Sequence, residues 1–559
     1  MRTSEKKSWW PWTWVPSLYF AEGIPYIIVM FVASDMYKTL GVSNMKLAFW
    51  TSLLYLPWVI KPLWSPFIDI YFTKRKWIVW MQLGLALSFF GVALVLQTPW
   101  WFPLSLAFLW LMALQSSTHD IAADGFYMLA LDEHKQAFFS GIRGTFYRLA
   151  MIAGLGLLVI ITGLILDKTG LDTVHMDIVA TDQIRETKPF DINSIPAVQP
   201  AGDTPEILHY PKKVQIPLCN NIENKRSCDS AVIYFMLSAS PGEGKEVKMH
   251  FGHKKGSKDI YLADGGNFVF TNDNWNIPVE AVVKVKSTLR EAATASFDAK
   301  AGNVPFSWAV SIGFLGLFFL LLSLYHKFIL PHPEEGNKKS DRANASYLHV
   351  LKTFFTREDI IPAIFLLLFY RFSESQLSKM ASPFLLDTRE NGGLALSLTE
   401  KGIAYGTVGL IALVIGGILG GILASKHGLK KWVWWMAASI NLPNLVYIFL
   451  SYVQPDNFAI VNICIAIEQF GYGFGFTAYM LYMLYIAGQG EYKTAHFALT
   501  TGFMALGMMI PGMISGAIQE SLGYQHFFIY VILCTIPSFL ALWFVKIDPA
   551  FGIKKKSTN

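Results

Sequence analysis

Charged residues are scarce in this chain of 559 residues. Asp, Glu, Lys and Arg make up 15% of it, whereas hydrophobic residues make up 53%. A soluble domain usually carries about 25% charged residues, so this composition argues against an ordinary water-soluble protein. The net charge of +6 is modest, and the basic residues lie in short loops and near the C-terminus. Membrane orientation explains that placement better than nucleic-acid binding, and we expect no nucleic-acid partner.

Cysteine is also scarce, with four in the chain. The sequence shows no Cys/His metal-ligand set, no Gly-rich phosphate loop and no Ser/His/Asp spacing. We therefore expect no metal, no cofactor and no enzymatic activity. We also expect no cleavable signal peptide. The first apolar run is long enough to span a bilayer and has no small-residue cleavage site, which predicts a first transmembrane helix.

Long apolar runs dominate the sequence instead. A bilayer core takes about 20 apolar residues per helix. Runs of this size predict an all-α membrane protein with twelve transmembrane helices, near residues 15–37, 46–68, 77–97, 101–128, 137–166, 307–330, 359–386, 401–425, 431–452, 457–487, 495–520 and 525–546.

Basic turns predict the orientation, because cytoplasmic loops are enriched in Lys and Arg. Both termini are predicted in the cytoplasm of a bacterium, with the protein a multi-pass component of the inner membrane. Basic turns ending in Trp recur at 74–77 and 426–432. This repetition predicts two pseudo-symmetric six-helix halves. We expect a membrane half at 1–166, an insertion at 167–304, helix 6 at 305–330, a cytoplasmic linker at 331–357 and a second half with a basic tail at 358–559.

The insertion between helices 5 and 6 is polar and is predicted to be periplasmic. It contains short runs rich in β-branched and aromatic residues, separated by turns, which predict a small β-sandwich-like domain. Residues 267–278 resemble the closing strands of Calx-β-like modules. A structural or docking role is favoured over capture of a ligand or periplasmic partner. In an oxidising periplasm, Cys219 and Cys228 can form a disulfide, and the sequence leaves this open.

Several ionisable residues fall within the predicted spans, where each costs on the order of 2.5–3.5 kcal/mol on insertion scales. From the helical rise, Asp120 lies about 15 Å from its inner helix end and Arg148 about 17 Å from that of the next helix, so we expect them to meet. Asp120 and Asp124 share one helix face. The predicted proton-coupling and substrate residues are Glu22, Asp120, Asp124, Arg143, Arg148, Arg371, Glu374 and Glu468.

A second group is assigned to conformational change. Asp69 and Arg75 flank the first basic turn, and Lys61 precedes it in the second helix, where it can equally snorkel to the interface. Gly471, Gly473 and Gly475 loosen the tenth helix, either for close packing or for bending.

Several of these segments resemble the AmpG-like permeases, which share a superfamily group with acetyl-CoA transporters. In the first half the similar segments are Phe20–Pro25, Lys61–Asp69, His119–Gly125 and Tyr147–Leu149. Glu22 replaces a small polar residue of the family, and His119 replaces its Gln. In the second half the similar residues are Tyr370, Arg371, Glu374, Glu468 and His496–Leu499.

The resemblance implies the major facilitator fold. It also implies proton-driven symport of cell-wall fragments, GlcNAc–anhydro-N-acetylmuramyl peptides, for peptidoglycan recycling. A related saccharide or glycopeptide remains an alternative substrate. Two other hypotheses stay open: a transporter for an acetyl-CoA-like donor, and a membrane sensor whose periplasmic domain binds a ligand.

Overall fold

The fold is taken from a computed structural model that describes residues 10–184, 186–196, 205–222, 225–243, 246–332, 347–489 and 492–551. The predicted basic N-terminus, most of the linker at 331–357 and the basic tail at 554–556 lie outside these residues. So does the side chain of Asp69, although its backbone is helical.

The N-terminal half consists of long helices joined by short turns. Polar side chains begin several of them: Ser43, Thr73 and Asp132 each accept a hydrogen bond from the backbone N–H three residues later, as N-cap residues do. The helices are α1 (Trp10–Thr39), α2 (Asn44–Leu53), α3 (Leu56–Ile70), α4 (Lys74–Val95), α5 (Trp101–Ala130), α6 (Glu133–Met151, Ile152–Leu158 and Val159–Thr169 in one run) and α7 (Val304–Ile329).

The C-terminal half repeats this pattern after the linker. Ser397 and Glu400 form a capping box at the start of its third helix, which satisfies backbone donors that a helix start leaves free. The helices are α8 (Tyr347–Phe355), α9 (Ile360–Leu386), α10 (Leu398–His427), α11 (Leu429–Val453), α12 (Phe458–Gly488), α13 (Lys493–Leu533) and α14 (Ile536–Trp543).

Within the described residues, 9 helical segments are long and apolar enough to cross a membrane. One of them, Ala495–Trp543, has 49 residues, more than twice what a bilayer core needs. It is interrupted at Gly523, where φ is 70°. Neither α5 nor the α2–α3 pair is among the 9, so the predicted count of twelve stays a prediction.

Three helices widen into π-helical turns near their middle: Ile28–Val32 in α1, Ile152–Leu158 in α6 and Ala404–Gly409 in α10. Such turns are rare and are found mostly at functional sites. The turns of α6 and α10 pack against each other across the two halves.

Between α6 and α7 the chain forms two sheets that enclose one apolar core, here called the sandwich. The first sheet has the strand order β3-β1-β11-β7-β9 and the second β2-β6-β10-β8, with β4–β5 as a separate hairpin. The strands are β1 (Leu171–Thr181), β2 (Ile207–Tyr210), β3 (Val214–Pro217), β4 (Asn220–Ile222), β5 (Lys225–Ser227), β6 (Ser230–Leu237), β7 (Val247–Gly256), β8 (Ile260–Asp264), β9 (Asn267–Phe270), β10 (Val279–Val285) and β11 (Ala293–Ala301).

Inward-facing aromatic residues fill that core. The ring centroids of Phe235 and Phe251 lie 4.8 Å apart, and those of Phe251 and Phe297 lie 5.4 Å apart. All three side chains are buried. Phe297 lies between Ser296 and Asp298 in its strand, as expected of a strand with one face on a core. The side of the membrane part that carries the sandwich is called the insertion side below.

Candidate functional site

The N-terminal half holds a cluster of five ionisable residues from four helices. Lys61 of α3 donates a hydrogen bond to Asp120 of α5. One helical turn further along α5, Asp124 lies 3.0 Å from the guanidinium of Arg143 in α6. Glu22 of α1 contacts Asp120, so two carboxyl groups and a lysine share one site. We call these residues the N-terminal charge cluster.

The partners within this cluster differ from those expected. Asp120 pairs with Lys61, whereas Arg148, expected beside Asp120, has an exposed side chain. Glu22 contacts Asp120, and Arg143 pairs with Asp124. Counting residues along a helix does not predict the direction in which each side chain leaves its helix.

Tyr19 is a further member of the cluster that sequence reasoning missed. Its hydroxyl donates to Asp124 over 3.2 Å, and Arg143 lies over its ring, 4.6 Å from the centroid. Its spacing of three residues before Glu22 places both on one face of α1, which is the signal that could have identified it.

His119 lies outside this cluster. It is buried, and its Nε2 lies 3.0 Å from the side-chain nitrogen of Gln82, whose oxygen in turn lies 2.9 Å from His326 Nδ1. This network joins α4, α5 and α7, so His119 is a hydrogen-bonded packing residue.

The C-terminal half holds a second buried charge pair. Arg371 and Glu374, both in α9, lie 2.6 Å apart, and Arg371 also donates to the hydroxyl of Tyr472 over 3.0 Å. Its guanidinium lies 4.9 Å from the centroid of the Phe476 ring. A planar cation held by a carboxylate, a hydroxyl and an aromatic face is fixed in position.

A cavity lies between the halves, next to this pair. Two acids, Glu374 and Glu468, reach its wall, and Gln469 donates to Glu468 over 2.8 Å. The remaining wall combines hydroxyl groups with aromatic and aliphatic surface from both halves, namely Phe31, Met151, Leu155, Leu377, Ser378, Tyr405, Leu410, Leu413 and Tyr472. All three π-helical turns contribute to this wall or adjoin it, through Phe31, Leu155 and Tyr405.

The halves are joined closely on the insertion side. Asp35 of α1 accepts hydrogen bonds from Lys401 of α10 and Ser382 of α9, and the Asp35 and Lys401 side chains are fully buried. Nearby, Lys38 and Asp387 lie 2.6 Å apart. We call these contacts the insertion-side closure; none of its four charged residues was predicted as a site residue.

Backbone packing supports this closure. In α10, a Cβ atom at Gly406 would lie 2.2 Å from the carbonyl oxygen of Leu155 and 2.4 Å from Cα of Gly156 in α6. Because no side chain fits there, the two helices meet backbone to backbone at their π-helical turns. Small residues permit such close approach of helices in membranes.

The residues predicted to support conformational change have mixed surroundings. Arg75 donates to the backbone carbonyls of Lys327 and Leu330 at the end of α7, so it joins two helices of one half. Lys61 does not snorkel but belongs to the N-terminal charge cluster.

The three glycines of α12 face other helices of the same half. A Cβ at Gly471 would lie 2.1 Å from the carbonyl oxygen of Ser439, and one at Gly473 would lie 2.0 Å from that of Leu413. At Gly475 the neighbour is the carbonyl oxygen of Met436, at 2.4 Å. Their surroundings favour close packing, one of the two interpretations that the sequence left open.

In the sandwich, Cys219 and Cys228 are joined by a disulfide with a Cα–Cα distance of 4.3 Å. The bond closes the β4–β5 hairpin. Among the described residues, no group of three or more His, Cys, Asp or Glu side chains is arranged to hold a metal ion.

Comparisons with known proteins agree with this architecture. Residues 300–510 match the model of the Major Facilitator Superfamily, and residues 20–180 match that of the BT1 family. The chain is 26% identical over 213 residues to "Putative transporter AmpG 1" of Rickettsia bellii, covering 38% of this chain and 50% of that protein. It is 28% identical over 187 residues to the protein of the same name from Rickettsia felis, covering 34% and 41%. The chain is similar to these putative AmpG transporters and, over residues 300–510, to the major facilitator superfamily.

Solved structures show the same fold. A bacterial homolog of the human lysosomal transporter Spinster, in an inward-facing and unoccupied conformation, matches with a TM-score of 0.55, 12% identity, and coverage of 97% of this chain and 96% of that one. The nucleoside transporter NupG matches with a TM-score of 0.57, 12% identity, and coverage of 96% and 98%. At such identities the likeness establishes the fold alone, and the proteins compared are transporters, not enzymes.

The sequence matches are partial. This AmpG-like chain spans about half the length of the curated relatives it matches or less. Its activity, substrate and partners are therefore argued from its own residues below.

Proposed function

We propose that this protein is a proton-coupled secondary transporter that works by alternating access between its two halves. The observation that carries the proposal is the cavity between the halves, with Glu374 and Glu468 in its wall and the N-terminal charge cluster in the opposite half. Transporters of this architecture bind substrate near the midplane, between their repeats. Ionisable groups buried at this depth are expensive, and function is the usual reason for their presence.

The N-terminal charge cluster suits proton coupling. Glu22 and Asp120 bring two carboxyl groups together, and Lys61 donates a hydrogen bond to Asp120. Like charges so close disfavour simultaneous ionisation, so the site holds a proton readily. Asp120 and Asp124 are part-exposed, which gives protons access, whereas the insertion-side closure is buried.

The proposed topology follows from the helices. Dividing Ala495–Trp543 at Gly523 and adding α5 and the α2–α3 pair to the apolar segments gives twelve crossings. We place the sandwich in the periplasm and both termini in the cytoplasm of a bacterium, since a disulfide such as Cys219–Cys228 persists in an oxidising compartment.

For the substrate we propose a GlcNAc–anhydro-N-acetylmuramyl peptide or a related saccharide. The cavity wall offers carboxylate, amide and hydroxyl groups that hydrogen-bond to sugar hydroxyls, beside the rings of Tyr405 and Tyr472. An acetyl-CoA-like donor would need cations for its phosphates, but the charged residues in the described wall are Glu374 and Glu468, and Arg371 is already paired.

The test is uptake by the purified protein in proteoliposomes. With an inward proton gradient, labelled GlcNAc–anhydro-N-acetylmuramyl tripeptide should accumulate and acidify the lumen. The disaccharide without peptide, the free tripeptide and acetyl-CoA serve as competitors. Competition by acetyl-CoA alone would replace the proposed substrate, and binding of these compounds without any accumulation would favour the sensor hypothesis.

Glu468→Gln tests the cavity itself. It should lower uptake strongly, since it replaces a carboxylate in the wall by an amide of the same shape. The matched control is Glu280→Gln on an exposed position of β10. Equal losses in both variants would contradict a role for the cavity.

A further inference from the structure

The sandwich is connected to one half and rests on the other. It lies between α6 and α7 of the N-terminal half, yet β7 contacts loops of the C-terminal half. Lys254 lies 3.3 Å from the carboxylate of Glu400 at the start of α10. The backbone N–H of His253 donates to the carboxylate of Glu390 over 2.7 Å. The sandwich therefore bridges the cleft between the halves.

A second set of contacts lies beside the first. The N–H of Gly256 donates to Asp456 over 3.1 Å, and Lys258 donates to the carbonyls of Tyr452 and Val453 at the end of α11. A cation at a helix C-terminus is attracted by the helix dipole. Lys254 and Lys258 form the basic side of this interface, on the sandwich. The side formed by the C-terminal half is mostly acidic, and Arg389 on that side is paired with Asp456 over 2.9 Å.

The connection to the N-terminal half is short and tightly packed. A single residue, Gly170, separates α6 from β1, and two residues, Gly302 and Asn303, separate β11 from α7. Leu171 and Ala301 pair directly across the two strands. A Cβ at Gly302 would lie 2.5 Å from the side chain of Leu166. With such short, packed connections, we expect the sandwich to move together with the N-terminal half.

These two facts decide what the sandwich does when the halves move. If it follows the N-terminal half, any opening on the insertion side separates Lys254 from Glu400 and Lys258 from the end of α11. These contacts lie on the same side as the buried Asp35–Lys401 pair, so both sets break together. Part-exposed ion pairs are individually weak, so the contact is one that can be released.

We propose that the sandwich is a latch: its contacts with the C-terminal half stabilise the state closed on the insertion side and are released when that side opens. This inference rests on the proposed alternating access, but not on any particular substrate. It assigns the insertion a conformational role and a defined contact surface, formed by Lys254, Gly256 and Lys258 on the sandwich and by Glu390, Glu400 and Asp456 on the C-terminal half.

The test measures how accessible position 52 is to a reagent in water. Ser52 is buried between the halves and faces Gly512 of α13, where an added Cβ would lie 2.7 Å from its hydroxyl. A Ser52→Cys reporter is placed in the full-length chain with Cys464→Ala and Cys534→Ala, and its labelling by a membrane-impermeant maleimide is timed. Lys254→Glu should speed labelling about threefold to fivefold, the change in population that one part-exposed ion pair supports.

Two further variants make the result specific. The exchange Lys254→Glu with Glu400→Lys should label more slowly than either single variant, because the ion pair is rebuilt with reversed polarity. The single variant Glu400→Lys serves as the reference for loss of the capping box with Ser397. The control Lys284→Glu makes the same charge change on an exposed position of β10 and should leave the rate unchanged. Equal acceleration by both Lys→Glu variants would overturn the latch, since net charge would then explain it.

A cross-link covers the case in which the charge variants do not fold. Oxidation of a Lys254→Cys, Glu400→Cys pair should slow labelling of the reporter below the wild-type rate, and reduction should reverse this. Unchanged labelling after complete cross-linking would show that the sandwich moves with the C-terminal half and would overturn the proposal. Because labelling needs no substrate, these results are independent of whether a muropeptide is transported.

Discussion

Asp35 and Lys401 form an ion pair between the two halves, with side-chain exposures of 0% and 2%. Ser382 donates a second hydrogen bond to the same carboxylate. Charges so deeply buried are tolerated because they satisfy each other, and the desolvation of both must be recovered by this contact.

Breaking that pair should destabilise the protein. We expect Lys401→Met to lower the free energy of unfolding by about 3–5 kcal/mol, because it leaves Asp35 buried without a counter-charge. The double variant Asp35→Leu with Lys401→Met should lose much less. Thermal unfolding in detergent measures both; additive losses would contradict a direct pairing.

Backbone contact between α6 and α10 gives a second prediction. Gly406→Ala should destabilise the closed arrangement by about 1–3 kcal/mol, because its Cβ would lie within 2.4 Å of three backbone atoms of α6. Gly421→Ala in the same helix is the matched control, since nothing lies within 4 Å of its Cβ. The control should be neutral or slightly stabilising. Melting temperatures that fall equally would argue against close helix contact at Gly406.

Proton coupling gives a third prediction, which depends on the proposed function. Asp120→Asn removes the carboxylate that Lys61 holds and should reduce gradient-driven uptake to less than about a tenth of the wild-type rate, since a titrating group is lost. Substrate exchange without a gradient should persist. Full gradient-driven uptake by this variant would exclude Asp120 from coupling, and the exposed Glu280→Gln variant serves as the control.

A fourth prediction concerns pH and the sandwich. Burial of His209 in β2, with Lys212 nearby, lowers the pKa of its imidazole to about 4, whereas an unfolded histidine has a pKa of about 6.5. Between these values the unfolded chain binds more protons than the folded one, so stability falls as pH falls from about 6.5 to 4.

Hydrogen exchange can check this locally. After correction for intrinsic exchange rates, amides of β6, which pairs with β2, should lose protection between pH 7 and pH 5. His209→Gln removes the titrating group and should reduce that loss. An identical pH dependence in the variant would mean that His209 does not contribute.

The sequence predicted helices well where apolar runs were long. The predicted span at 307–330 corresponds to the helix Val304–Ile329, and the predicted span at 137–166 lies within α6, which runs from Glu133 to Thr169. Each contains a long stretch that is predominantly apolar, so their existence follows from composition. The order of strands in the sandwich did not follow, because β-pairing depends on residues far apart in the chain.

Partners of individual charges were harder to predict. Asp120 was assigned to Arg148 because both lie at similar depth, but Lys61 occupies the place beside it. Depth follows from counting residues along a helix, whereas the rotation of each helix is set by packing. Asp35 and Lys401 were not predicted as site residues because they lie near the ends of predicted spans, where charged side chains normally face water.

Gly170 and the Gly302–Asn303 pair make the sandwich a rigid extension of one half into the aqueous phase. Its position relative to the opposite half therefore reports the state of the membrane part. An antibody fragment that recognises the sandwich and the 452–456 loop together would bind only one conformation. Such reagents could trap or count conformers from the water side, with no probe placed in the bilayer.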